Sequence, residues 1–156
     1  MEIGSIRREI YVEASPEIVF DVVSRPEHLR QWWPQDVHLE PAAGASGSLV
    51  FHDDDQGPEA AVVVPITVVE ARPPHTFAFR WTHPAGERAV DGNSLLVTFA
   101  LAPSGGGTLL TMTETGFREL GWEVAQLEAL FADHVTGWDF HLSRLSPYAA
   151  TVAVRA

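Results

Sequence analysis

The sequence contains no cysteine, and this absence excludes several kinds of site at once. Without thiols the chain has no disulfide framework, no cysteine nucleophile and no thiolate metal site. It also contains no lysine, so its 10 basic residues are all arginine, and the 21 acidic residues give a formal net charge of −11. Because nucleic acids and anionic membranes both attract a basic protein face, neither is an expected partner.

Long apolar runs and a secretory signal are missing as well. No segment has the roughly 20 apolar residues that a membrane-spanning helix needs, so membrane insertion is not expected. The N-terminal stretch MEIGSIRREIYVEA lacks the apolar core of a signal peptide, which favours a cytoplasmic location. The composition that remains, 46% hydrophobic and 10% aromatic among 156 residues, is typical of an ordered globular protein. The length predicts a single domain over residues 1–156.

The N-terminal segment predicts one strand followed by two short helices. Apolar and polar residues alternate in SIRREIYVEA, which is the pattern of a half-buried strand. Ser15 then suits a helix N-cap and Pro16 the first helical position. Pro26 ends this helix and opens a second one, PEHLRQWW, which Pro34 closes.

The middle of the chain predicts a run of strands, and the end predicts one long helix. Turn signals such as PAGERAVDGN and PSGGG separate the strand-like segments DVHLEP, GSLVFHD, AAVVVPITVVEARP, HTFAFRWTH, SLLVTFALAP and GTLLTMTETGF. Beyond GFRELG the apolar period changes from 2 to 3.6 and continues to about Ala149. Consecutive strands with hairpin-sized gaps predict an antiparallel meander in an α+β fold. Only the last helix is long enough to cover its apolar face, and a twisted sheet that curls around one helix can leave a hollow.

Four stretches of the chain resemble a known family. ASPEIVFDVVSRPEHLRQWWP, FRWTH, GGGTLLTMTETGF and HVTGWDFHLSRLSPY are similar to the activator of heat-shock-protein-90 ATPase homologues, within the START/birch-allergen-like SRPBCC superfamily. The resemblance covers nearly the whole chain. It implies the helix-grip fold, in which a curved seven-stranded antiparallel sheet wraps around a long C-terminal helix and encloses a cavity. Members of the superfamily include lipid carriers, polyketide cyclases and co-chaperone domains, so the fold does not decide the function.

Strand and helix periodicity predicts which side chains line such a cavity. The candidates for ligand binding are Trp32, Trp33, Phe79, Trp81, Phe99, Met112, Glu114, Phe131, His134, Trp138 and His141. The aromatic residues would offer flat apolar surface, and Glu114, His134 and His141 would orient a ligand by hydrogen bonds. The alternatives are core packing for the aromatic residues, buried hydrogen-bonded histidines, and a solvent-facing strand end for Glu114.

Gly137 stands in the middle of the predicted C-terminal helix, where it costs about 1 kcal/mol relative to alanine. We expect a glycine there only if a neighbouring backbone, a side chain or a ligand comes close. The resembling family has a Gly-Trp pair at this place, which Gly137 and Trp138 match.

Neither a metal nor another cofactor is expected. His134 and His141 are two helical turns apart, roughly 10 Å, which is too far for two ligands of one ion. The stretch DDD at 53–55 lacks the spacing of a calcium loop, and SGGG at 104–107 lacks the lysine of a phosphate loop. The other histidines fall on loops and strand ends and are expected to be exposed: His28, His38, His52, His75 and His83.

Three functions remain open on the sequence alone. The first is binding of a hydrophobic small molecule, such as a lipid, a polyketide or an aromatic metabolite. The second is an enzyme of the polyketide cyclase/aromatase or hydrolase kind, in which Glu114 with His134 or His141 acts as acid and base. The third, implied by the resemblance, is stimulation of a heat-shock-protein-90 ATPase with a chaperone partner in the stress response. A homodimer also stays open.

Overall fold

The secondary structure follows the predicted order of elements. In a computed structural model, which describes residues 4–51 and 61–155, two helices follow the first strand and one long helix closes the chain. The elements are β1 (Ser5–Val12), α1 (Pro16–Ser24), α2 (Pro26–Trp32), β2 (Asp36–His38), β3 (Ser46–Phe51), β4 (Val62–Arg72), β5 (Thr76–Trp81), β6 (Leu95–Ser104), β7 (Gly107–Thr115) and α3 (Val124–Arg155). His52 and the acidic stretch 53–55 lie outside the described residues.

All strands join one antiparallel sheet of seven strands in the order β1-β7-β6-β5-β4-β3-β2. The strands from β2 to β7 are neighbours in chain order, as expected for a meander, and β1 pairs with β7. The helix α3 packs against β1, α1 and α2. The sheet and this helix form the helix-grip fold, so the predicted fold class is confirmed.

The local signals near the N-terminus are also confirmed. Ser15 caps α1 by accepting a hydrogen bond from the Ile18 N–H at 3.3 Å, and Pro16 occupies the first turn. Pro26 begins α2, whose last residue is Trp32. Nε1 of Trp32 donates to the Val22 carbonyl at 2.9 Å, and this bond ties α2 to α1.

The end of α3 differs from the prediction. The helix continues through Pro147 to Arg155 instead of ending near Ala149. An internal proline removes one backbone hydrogen bond and strains the preceding turn, but it does not prevent the next turn from forming. Packing supports the extension, because Val152 and Ala153 contact the hydrophobic core.

The core lies between the sheet and α3. The predicted alternation is confirmed on β5, β6 and β7, whose inward residues are almost fully buried: Phe77, Phe79, Trp81, Val97, Phe99, Leu101, Leu110, Met112 and Glu114. From α3 the buried residues are Leu127, Trp138, Leu142, Leu145 and Ala149. None of the helices in the described part of the chain is long and apolar enough to span a membrane.

Candidate functional site: a cavity beside the long helix

A cavity of about 450 Å³ lies between the middle of α3 and the β3–β5 side of the sheet. This volume falls within the range of small-molecule sites, roughly 300–1,000 Å³. Its wall is mostly apolar and consists of Trp33, Phe51, Val62, Val64, Trp81, Thr82, Asp133, His134, Thr136, Gly137, Trp138 and His141. Asp133 and Thr136 are exposed, so the cavity reaches the protein surface along α3.

Three indole rings meet at the inner part of this wall. The ring centroids of Trp33 and Trp81 are 5.1 Å apart, those of Trp33 and Trp138 are 5.1 Å apart, and those of Trp81 and Trp138 are 6.0 Å apart. The rings come from the end of α2, from β5 and from α3. Together they give the cavity a rigid aromatic surface, which suits a flat apolar ligand.

A fully buried carboxylate holds two of these indoles in place. Glu114 on β7 has no solvent exposure. Its Oε2 accepts a hydrogen bond from Trp81 Nε1 at 2.7 Å, and its Oε1 accepts one from Trp138 Nε1 at 2.9 Å. Such hydrogen bonds satisfy a buried carboxylate, which would otherwise be strongly destabilising.

The same carboxylate orients His134. Nδ1 of His134 lies 2.8 Å from Glu114 Oε1. An ionised carboxylate only accepts hydrogen bonds, so we assign the proton of this contact to Nδ1. The imidazole also packs against Trp81, with ring centroids 5.3 Å apart. The ring is therefore fixed, and Nε2 is the nitrogen that remains for a ligand.

His141 lies two helical turns further along α3 in the same wall, and its environment differs from that of His134. Its Nδ1 is buried and has no hydrogen-bond partner among the described residues. Burial lowers the pKa of His141, an interaction with the Trp32 backbone opposes this shift, and the charge of Arg144 adds to it. The side chain is thus favoured as a neutral imidazole.

Two backbone positions in the wall are unusual. Apart from its chain neighbours and the adjacent turns of helix backbone, no described atom lies within 4 Å of a Cβ atom added to Gly137, so the glycine leaves open space in the cavity. Among the described residues, none makes the close approach that the sequence led us to expect at this glycine. Thr82, immediately after β5, has a φ of 66°, which is uncommon for a residue branched at Cβ.

The structure brings some of the predicted ligand-binding residues together and leaves others in the core. Five of them line the cavity: Trp33, Trp81, His134, Trp138 and His141. Glu114 lies directly behind this wall. The remaining five lie outside it: Trp32 is buried against α1, Phe79, Phe99 and Met112 are fully buried in the core, and Phe131 packs against Phe117.

Several wall residues were missed by the sequence analysis. Val62 and Val64 are two residues apart on β4, so the sequence could show that they share a face. It could not show that this part of the sheet is separated from α3 by a cavity. Asp133 and Thr136 are exposed, as the helix period predicts, and they nevertheless form the rim.

The predicted exposure of the scattered histidines holds for two of the four in the described part of the chain. His38 and His75 are exposed. His28 is half-buried, because it packs against α3, where its Nδ1 lies 2.6 Å from the Tyr148 hydroxyl. His83, in the β5–β6 loop, is buried. Within residues 4–51 and 61–155, no three His, Asp or Glu side chains are grouped so that they could hold a metal ion.

Comparisons with known proteins agree with this architecture. The family model described as "Activator of Hsp90 ATPase homolog 1-like protein" matches residues 13–150. A search of curated proteins found no match. Among solved structures, protein MLL2253 from Mesorhizobium loti is similar with a TM-score of 0.70 and 21% identity, over 92% of this chain and 95% of that one.

Two further solved structures are also similar to this chain. DynU16, a protein in the dynemicin biosynthetic locus, has a TM-score of 0.65 and 24% identity over 96% of this chain and 48% of its own. CalU16 from Micromonospora echinospora has a TM-score of 0.58 and 16% identity over 97% of this chain and 86% of its own. At these identities the likeness shows a shared fold.

Proposed function

The chain belongs to the family of activator of Hsp90 ATPase homolog 1-like proteins, and from this premise we propose that it binds a small, largely apolar molecule in the cavity beside α3. The observation that carries the proposal is the open space at Gly137. A glycine in the middle of a helix weakens it, and no described neighbour needs the space that the missing side chain leaves.

The wall chemistry supports the same conclusion. A ligand site is usually an apolar concavity with a few oriented polar groups. Here three indoles form the apolar part, and His134, fixed by Glu114, supplies an oriented polar group. Because the cavity reaches the surface at Asp133 and Thr136, a ligand has a path into it.

The first experiment is native mass spectrometry of the purified protein with organic extraction of any bound compound. Titration with polyketides, fatty acids and aromatic metabolites follows, monitored by tryptophan fluorescence. Three of the five tryptophans line the cavity, so a bound ligand is expected to change the emission in a saturable way. A protein that carries no compound and shows no saturable change with the panel would contradict ligand binding.

A pair of leucine variants assigns any binding to the cavity. Gly137→Leu places a side chain into the open space and is expected to weaken binding at least tenfold. Ala129→Leu adds the same side chain at an exposed position of α3 and should leave the affinity unchanged. Equal affinities in the two variants would place the ligand elsewhere on the protein.

A second candidate is acid–base catalysis, and the contact between Glu114 and His134 favours it. A carboxylate that orients an imidazole is a common arrangement for a general base. Compounds that bind are therefore to be incubated with the wild type and with His134→Asn, and the products compared by mass spectrometry. Conversion by the wild type alone would identify an enzyme, and recovery of unchanged compound would leave binding as the function.

Stimulation of an Hsp90 ATPase, a chaperone partner and a role in the stress response stay predictions. So do the cytoplasmic location, the homodimer and the single domain over residues 1–156.

A further inference from the structure

We propose that the ligand of this cavity carries an acidic hydroxyl group, as in a phenol, an enol or a carboxylic acid. This hydroxyl donates a hydrogen bond to Nε2 of His134. The inference rests on the proposed function, because it specifies the ligand chemistry of the same cavity. Three steps support it: the fixed orientation of His134, the proton balance of its pair with Glu114, and the position of His134 relative to the indoles.

The orientation of the imidazole follows from how the carboxylate is occupied. Both oxygens of Glu114 accept hydrogen bonds, Oε2 from Trp81 and Oε1 from Trp138 and His134. Because the carboxylate is fully buried and held by two indoles, it has no freedom to follow a rotating imidazole. The donor to Glu114 is therefore always Nδ1. No described residue makes a hydrogen bond to Nε2, and 10% of the side chain is exposed.

The possible positions of the proton between His134 and the ligand then limit which ligand group fits at Nε2. With a neutral imidazole, Nε2 accepts a hydrogen bond and needs an O–H or N–H donor. If the ligand's O–H bond breaks as the N–H bond forms, an imidazolium results between the Glu114 carboxylate and the ligand oxyanion. Both proton positions give a complex of the same net charge, and each satisfies every polar atom of the contact. An acidic hydroxyl is the group that fits both, whereas an ether of the same shape leaves Nε2 unpaired.

The position of His134 explains why this contact would decide affinity. Asp133 and Thr136 lie at the exposed rim, where they are open to solvent. His134 is instead surrounded by aromatic rings, with Trp81 at 5.3 Å and Phe117 at 5.7 Å between ring centroids. A hydrogen bond in such a shielded place is stronger than one at the rim, and a missing partner costs more. The ligand class is therefore a flat aromatic compound with an acidic hydroxyl.

The test compares 2-naphthol with 2-methoxynaphthalene, which has a similar shape but no hydroxyl proton. Isothermal titration calorimetry of the wild type is expected to show about tenfold tighter binding of 2-naphthol, the effect of one hydrogen bond that is made or left unmade. In His134→Asn the side-chain amide can still donate to Glu114, but no group replaces Nε2. The preference for 2-naphthol should then disappear, with the affinity for 2-methoxynaphthalene changed by less than about twofold.

His75→Asn is the matched control, because it makes the same change at an exposed histidine that does not line the cavity. It should keep the preference for 2-naphthol. If His134→Asn fails to fold, ¹⁵N NMR of the wild-type imidazoles replaces it. The Nε2 resonance of His134 should then move with 2-naphthol and stay in place with 2-methoxynaphthalene.

The outcomes separate the two proposals. Equal affinities of the wild type for both compounds, or a preference that persists in His134→Asn, would overturn the role of His134 and leave cavity binding intact. An Nε2 resonance that does not shift with 2-naphthol would likewise overturn the role of His134. If neither naphthalene compound binds, the acidic-hydroxyl inference is overturned. The proposed function fails with it only if the panel of polyketides, fatty acids and aromatic metabolites also gives no saturable binding.

Discussion

Nε1 of Trp81 donates a hydrogen bond to Oε2 of Glu114 at 2.7 Å, although their strands, β5 and β7, are not neighbours in the sheet. The bond passes over β6, where Val97 pairs with Glu114 on one side and with Phe79 on the other. The side chains therefore link β5 and β7 across the concave face, in addition to the backbone hydrogen bonds that join each of these strands to β6. Trp138 and His134 complete the same contact from α3.

Glu114→Gln is expected to lower the free energy of unfolding by about 1–3 kcal/mol, although the side chains have nearly the same shape. The reason is that an amide has one oxygen. Its NH₂ group would face at least one of the N–H donors of Trp81, Trp138 and His134. Urea unfolding at neutral pH measures the change. Glu128→Gln on the exposed face of α3 is the control, and equal midpoints in the two variants would refute the prediction.

Gly137→Ala is expected to raise the free energy of unfolding by up to about 1 kcal/mol. Alanine is a better helix former, and its Cβ would meet no described atom within 4 Å. The reverse change at an exposed position of the same helix, Ala129→Gly, should cost a similar amount. Thermal unfolding of both variants checks the pair. A less stable Gly137→Ala protein would mean that the space beside Gly137 is occupied.

Thr82→Asn is expected to stabilise the protein by about 1 kcal/mol, because asparagine tolerates the left-handed conformation better than a β-branched residue. The backbone at Thr82 has a φ of 66°, and its N–H donates to the Pro65 carbonyl at 3.3 Å. Thr82→Val keeps the branching and the strain, so it should show no gain. Denaturant midpoints of the two variants decide the matter, and a gain with valine alone would show that strain is not the cause.

Stability is expected to fall on acidification through a contribution from His141. Burial lowers the pKa of His141 in the folded state, so near pH 6.5 and below the unfolded chain binds more protons than the folded one. The stabilising contribution is complete above the unfolded pKa and is lost as the pH falls through the folded pKa. The pKa of buried His83 is lowered for the same reason, so it contributes in the same direction.

His141→Leu should therefore flatten the acid limb of the stability curve. It also removes the buried Nδ1 that has no partner among the described residues. Free energies of unfolding at several pH values between about 5 and 8 measure this, with His75→Leu at an exposed position as the control. An acid limb as steep as that of the wild type would show that the acid sensitivity has another origin.

Sequence patterns predicted the fold because its signals are local. Pro16 and Pro26 mark helix starts through their own backbone geometry, and alternation along β7 places Glu114 inward without knowledge of any other strand. The end of α3 was missed because its last turns are supported by packing of Val152 and Ala153 against the core, which no local signal records.

The site was predicted less completely because it depends on contacts between distant segments. Periodicity placed Trp138 and His134 on the correct helix face, but it contained no information that both donate to Glu114. For the same reason Trp32 and Trp33, adjacent in sequence, were both assigned to the cavity. The turn after α2 instead puts Trp33 in the wall and Trp32 against α1.

The carboxylate contact also has a consequence for how the protein acquires its binding competence. Trp81 lies 33 residues from Glu114 in sequence, and Trp138 lies 24 residues from it. These bonds form only after β5, β7 and α3 have been assembled, and contacts between distant segments are the slow part of folding. During refolding, ligand-induced quenching of the indoles should therefore appear after the far-ultraviolet circular dichroism of the sheet. A partly folded chain would then not bind the ligand.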